Sequence, residues 1–295
     1  MNLTPLTTLT TLVRREFWEH RSLWIVPLAV AILIVVAAMF PHSGMQVSRI
    51  DYQTPEKYRE YFGIFHGMLT IPQFVLLGVL LPYYLLDSLY AERKDRSILF
   101  WKSLPVSDAQ TVLSKVLVAL VIVPLGVYLL AIFTDIAASS ILALRLRAVP
   151  MIGMFLRWDT QMWLRTQAFV LAALVVLIAW YAPVGAYLLV VSAWAKRSAF
   201  LWATVPPLVA MLLEWIAFDT HYTARFLDYR LSANRALSYP YHYVGPEPTV
   251  GGHPGMFDSI RPLAALANVD LWLGLVAAAA LIYLAIRIRR YQSES

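Results

Sequence analysis

Long stretches of unbroken apolar residues alternate with short polar segments along the chain, and none shows the two-residue alternation of a barrel strand. Windows free of Asp, Glu, Lys and Arg cover 22–40 (19 residues), 64–86 (23), 116–134 (19) and 166–195 (30). A fifth, 198–218 (21), is interrupted by Glu214. The last, 271–286, holds 16 and reaches spanning length if its helix begins near Ala264, with Asp270 at the interface. A helix needs about 20 apolar residues to cross about 30 Å of hydrocarbon. The pattern predicts an all-α integral membrane protein, a single domain over 1–295. Its six spans fall at about 22–40, 64–88, 116–138, 168–194, 199–218 and 266–286.

The polar segments between the windows set the orientation. With the N-terminus inside, the inner segments 1–21, 92–115, 196–199 and 287–295 carry 13 Lys and Arg in about 58 residues; the outer segments carry 11 in about 106. Four of the five lysines fall inside. Both termini are therefore expected in the cytoplasm. The first window is too long for a secretory h-region and lacks a small-residue cleavage site before Pro41, so it is expected to be a retained span.

Composition sharpens this. The chain has 295 residues, of which 60% are hydrophobic and 14% charged, with a mean hydropathy of +0.63, too apolar for a water-soluble globule or a disordered chain. The net charge of +6 needs no nucleic acid, because inner-leaflet lipids suffice. Without cysteine there is no disulfide framework, thiolate metal site or thiol nucleophile.

Two inner segments carry more than orientation. In 3–21, Leu3, Leu6, Leu9, Val13, Phe17 and His20 recur at helical intervals after a first-turn Pro5, with Arg14, Arg15, Glu16, Glu19 and Arg21 at the membrane end. An amphipathic helix on the inner leaflet is expected. Between the second and third spans, Glu92–Asp95 continue the helix in a charged run, with Glu92 and Arg96 spaced as an i,i+4 pair. An apolar patch, Ile98–Trp101, follows, and Pro105 disfavours helix at Leu104. Ser107 with Gln110 restarts the helix as a capping box. A charged helix–turn–helix of this kind suits docking to a soluble protein.

The string Glu92-Arg93 … Ser97-Ile98 … Ser103-Leu104-Pro105-Val106-Ser107 … Lys115 resembles the cytoplasmic loop of permeases in the ABC-2 (type-2 ABC exporter) family. Arg14-Arg15-Glu16-Phe17 before the first span is similar to that family as well. The chain departs from the pattern at Arg96, where the family has glycine, and at Leu99, where it has an acidic residue. The resemblance implies a transport subunit of the bacterial inner membrane that works with a second permease chain and a separate ABC ATPase. ATP and Mg would sit on that partner, and this chain would hold no cofactor. It further implies that Arg14, Arg15, Glu16, Glu92, Arg93, Asp95, Arg96, Phe100, Trp101, Pro105 and Ser107 couple to the ATPase. The second and fifth spans would line the route at a dimer interface, with Gln73, Tyr83 and Glu214 as pathway residues.

Other chemistry finds little material. No G-x-x-x-x-G-K-[ST] occurs, and Gly251-Gly252 lack the lysine that would follow. His221, His242 and His253 share the long outer segment 219–265 with Asp219, Asp228, Glu247 and Asp258, but without metal-ligand spacing. Asp87 and Asp135 stand alone near span ends, and proline interrupts five of the six spans. The alternatives are a polytopic membrane enzyme acting on a lipid or peptide, and a membrane scaffold or sensor using the outer segment.

Overall fold

The computed structural model describes residues 5–40, 55–95, 106–145, 158–237 and 262–291, all of them helical or in short connections, with no strand among them. Helix α1 (Pro5–Glu19) begins at the first-turn proline. Next come α2 (Ser22–Met39), α3 (Pro55–Ser88) and the short α4 (Tyr90–Lys94). The third span is built from α5 (Asp108–Leu117), a π turn (Val118–Ile122) and α6 (Val123–Arg145). After it run α7 (Thr160–Trp194), α8 (Ala199–Phe218), α9 (Tyr222–Leu231), α10 (Ala233–Leu237) and α11 (Val269–Tyr291), with a 3-10 turn (Pro262–Ala267) before the last. Six stretches are long and apolar enough to cross a membrane: Ser22–Met39, Phe62–Lys94, Asp108–Arg145, Thr160–Trp194, Ala199–Phe218 and Val269–Tyr291.

Several helices run well past their uncharged windows, because a backbone can stay helical where charged side chains reach water. Ser107 accepts from the Gln110 amide at 3.2 Å while the Gln110 side chain accepts from the Ser107 amide at 3.1 Å, so the helix restart is a complete capping box. The turn preceding it, 96–105, lies outside the described residues, and with it Arg96, Phe100, Trp101 and Pro105. The π turn has a local cause. Pro124 has no amide hydrogen and its ring crowds the Leu120 carbonyl, so the turn before it widens and the Val123 amide reaches back to Val118.

Side-chain contacts fix the ends of the second, third, fourth and sixth spans, and the short connections to the first and fifth set the rest. Glu92, Lys115, Arg289 and the α1 carboxylate of Glu16 meet at one end of the bundle. His66, Asp135 and Gln167 meet at the other. Consecutive spans therefore alternate, and α1 and the C-terminal end of α11 share the first end. Along the third span Lys115 and Asp135 are about 20 residues, or about 30 Å, apart, which is the thickness of a hydrocarbon core.

The core packs α2, α3, α5–α7 and α11 around Leu77, Tyr84, Val112, Val118, Val127 and Leu189. Ala182 and Ala186 of α7 meet Ala278 of α11, the small-residue seam that lets two helices approach where no hydrophobic drive joins them. At Gly185 a Cβ would lie 3.1 Å from Leu85 Cδ1, so this glycine seats α3 against α7. By contrast α8 buries only Ala199 and Ala203 along its length.

Candidate functional site

Charges that leave water need partners, and the basic end of the bundle shows how many. Glu16 of α1 and Lys115 of α5 are both completely buried (0% exposed), and their side chains meet at 2.8 Å. The Lys115 ammonium also lies 3.0 Å from Glu92 at the end of the second span. Glu92 takes two more cations, Arg15 at 2.6 Å and Arg289 of α11 at 2.5 Å. Arg15 reaches Glu16 at 2.7 Å, and Arg289 reaches Asp108 at the start of α5 at 3.1 Å. The Tyr84 hydroxyl completes the set by donating to Glu16 at 2.9 Å. Three cations face three carboxylates, drawn from the N-terminal helix and from the second, third and sixth spans.

The electrostatics follow from that count. Burial alone would raise the Glu16 carboxyl, but Lys115 and Arg15 outweigh it and hold it below its ordinary 4.5. Burial pushes the neighbouring His20 below 6.5, where its ring packs edge-on against Tyr84 at 4.9 Å. Burial also raises Glu19, at the rim of the network. Glu16, Glu19 and His20 stand close enough together to hold a metal ion, yet Lys115, Arg15 and Tyr84 already occupy the Glu16 oxygens.

The other residues singled out from the sequence are distributed as follows. Arg93 donates to the Ser192 and Ala195 carbonyls at the end of α7, where Ser192 Oγ in turn accepts from the Leu89 and Tyr90 amides. The second span is thereby clamped to the fourth at the break between α3 and α4. Arg14 is exposed on α1 and Asp95 is exposed just beyond α4. Gln73 is wholly buried, with neither amide atom partnered among the described residues, whereas Tyr83 is 63% exposed on the outer face of the bundle. Glu214 accepts from Thr220 Oγ1 at 2.8 Å and from the Tyr222 and Thr223 amides, so its carboxylate caps α9. Of the outer-segment histidines, His221 is exposed, and His242 and His253 lie outside the described residues, as do Glu247 and Asp258.

Sequence reasoning passed over Lys115, Asp108 and Arg289 as members of one site, and passed over Tyr84. It also missed the group around Asp135 at the opposite end. There His66 Nδ1 lies 2.6 Å from one Asp135 oxygen, and Trp163 Nε1 and Gln167 Nε2 donate to the other at 2.8 and 3.1 Å. Phe62, Phe65 and Trp158 surround the imidazole. A histidine inside an apolar window was the available signal.

Compared with known proteins, the chain matches no family model, no curated protein and no solved structure.

Proposed function

We propose that this chain is the permease subunit of a type-2 ABC exporter, moving a substrate across the bacterial inner membrane with ATP hydrolysed by a separate ATPase. The observation that carries the reading is the convergence on Glu92. The segment whose residues resemble a permease coupling loop begins at the carboxylate that also binds Arg15, Lys115 and Arg289. A push on that loop would act at once on the N-terminal helix and on three spans. In this reading α1 is an interfacial helix on the inner leaflet, 92–110 is the coupling helix–turn–helix, and the basic end with both termini faces the cytoplasm. The exposed faces of α3 and α8, including Tyr83, would meet a second permease chain.

The test co-expresses the chain with candidate stand-alone ABC ATPase subunits from the same genome. The complex should co-purify, and Glu92→Gln should leave ATP hydrolysis running while export falls. If no ATPase subunit binds the chain in detergent and Glu92→Gln leaves export unchanged, the reading fails.

One observation favours a second reading, a membrane enzyme working from the opposite end. Two donors orient Asp135 toward His66, an arrangement suited to a general base. Turnover of a lipid or peptide by the isolated chain, abolished in His66→Ala, would select it.

A further inference from the structure

The widened turn before Pro124 leaves a feature that the charge network does not use. Leu9, Val13 and Phe17 lie four residues apart on one face of α1, and they face Leu117, just before the π turn, and Ile122, its last residue. Between them is an open-sided cavity of about 410 Å³ with almost wholly apolar walls. Its size is that of a small-ligand site, about 300–1,000 Å³. A π turn inserts an extra residue and so changes the face that the third span presents beyond it.

Arg14 stands on the wall of this groove. It is exposed, and among the described residues it has no hydrogen-bond or ion-pair partner, while Arg15 beside it is committed to Glu16 and Glu92. Leu117 is two residues beyond Lys115, so the groove starts at the level of the buried charges and runs into the hydrocarbon toward Ile122. A molecule that fits this groove would be apolar along its length, with a negative group at the Arg14 end.

We infer that the groove binds one anionic phospholipid, an acyl chain lying along Leu9, Val13, Phe17, Leu117 and Ile122 and its phosphate on Arg14. The lipid would then form part of the seat of α1, whose other side carries Glu16 into the charge network. The inference rests on the orientation proposed above only for which leaflet supplies the lipid, and it does not involve the ATPase.

The experiment uses the full chain, purified in detergent, stripped of lipid and offered palmitoyl-oleoyl phosphatidylglycerol or phosphatidylcholine, with bound lipid counted by native mass spectrometry. The wild-type chain should retain one phosphatidylglycerol in preference to phosphatidylcholine. Arg14→Ala should reduce that preference about fivefold, the effect of one basic side chain near an anionic lipid. Val13→Trp should fill the groove and lose both lipids; if it does not elute as folded protein, Ile122→Trp fills it from the opposite wall. Arg287→Ala is the control, since Arg287 is exposed at the same end but stacks on Tyr283 and Tyr291, and it should keep the preference. Equal retention of the two lipids by the wild type, or an unchanged preference in Arg14→Ala, overturns the inference. So does an equal loss in Arg287→Ala, which would mean diffuse surface charge. A dimer mass that disappears in Val13→Trp would assign the groove to a second copy of the chain. None of these outcomes depends on ATP, so the lipid site and the exporter reading can fail separately.

Discussion

Lys115 has no contact with solvent, and its ammonium is held between Glu16 at 2.8 Å and Glu92 at 3.0 Å. Removing one member of such a buried set leaves charge without a partner, at a cost of about 3–5 kcal/mol. Glu16→Gln and Lys115→Met should each lower the unfolding midpoint in detergent strongly. The double variant should lose much less than the two single losses combined, because the pair disappears together. Acid acts on the same residues. The folded-state values of His20 and Glu16 lie below their ordinary 6.5 and 4.5, so both contribute stability at neutral pH that is lost as pH falls. His20 gives way first, below 6.5, and Glu16 only below 4.5. Glu19, raised by burial, works in the opposite sense, but it is partly exposed at the rim. Unfolding midpoints measured from pH 8 downward should therefore decline in two steps, and His20→Phe should remove the earlier one. A third residue-scale test lies on the other end, where a Cβ at Gly274 would sit 1.6 Å from the guanidinium of Arg230. That guanidinium stacks 4.5 Å over Trp180 and reaches the Asp270 carbonyl at 3.3 Å. Gly274→Ala should cost about 1–3 kcal/mol by overpacking, and Arg230→Ala in the same chain should return part of it.

At the scale of elements, the spans were legible because a hydrocarbon core demands a run of apolar residues and the runs are unbroken. The restart at Ser107 was equally legible, since a capping box needs only four consecutive residues. The site was legible only in part. Arg15, Glu16 and Glu92 stood out as charges near span ends, but their partners are far away in the chain: Lys115 is 99 residues from Glu16 and Arg289 is 197 from Glu92. Nothing local distinguishes Arg289 from Arg287 and Arg290 beside it, which read together as an ordinary basic flank. The partners of Glu214 were not legible either. A carboxylate in an apolar window suggests a pathway, and only the fold shows that α9 turns back so that its first amides meet that side chain. Ser107→Ala isolates one element cleanly. It should cost about 1 kcal/mol and speed hydrogen exchange in the first turn of α5, leaving the spans protected.

For the whole molecule, the two polar groups bracket an apolar bundle, and which of them faces the cytoplasm decides what the rest can mean. The chain contains no cysteine, so single cysteines can be introduced without altering a native thiol. Lys94 is exposed at the end that carries the charge network, and Arg225 is exposed on α9 at the other. With the basic end inside, a membrane-impermeant maleimide added to intact cells should label Arg225→Cys at once and Lys94→Cys only after permeabilisation. The expectation follows from charge placement: Arg14, Arg15, Arg21, Arg93, Lys94, Lys196 and Arg197 all lie at or beside that end. The reverse pattern would turn the molecule over. Glu92 and its partners would then be out of reach of any cytoplasmic ATPase, and the groove beside Arg14 would open to the outer leaflet. The exporter reading would fall, and the His66–Asp135 pair would face the cytoplasm. One labelling experiment therefore tests the premise on which the charge network acquires its proposed role, before any substrate is known.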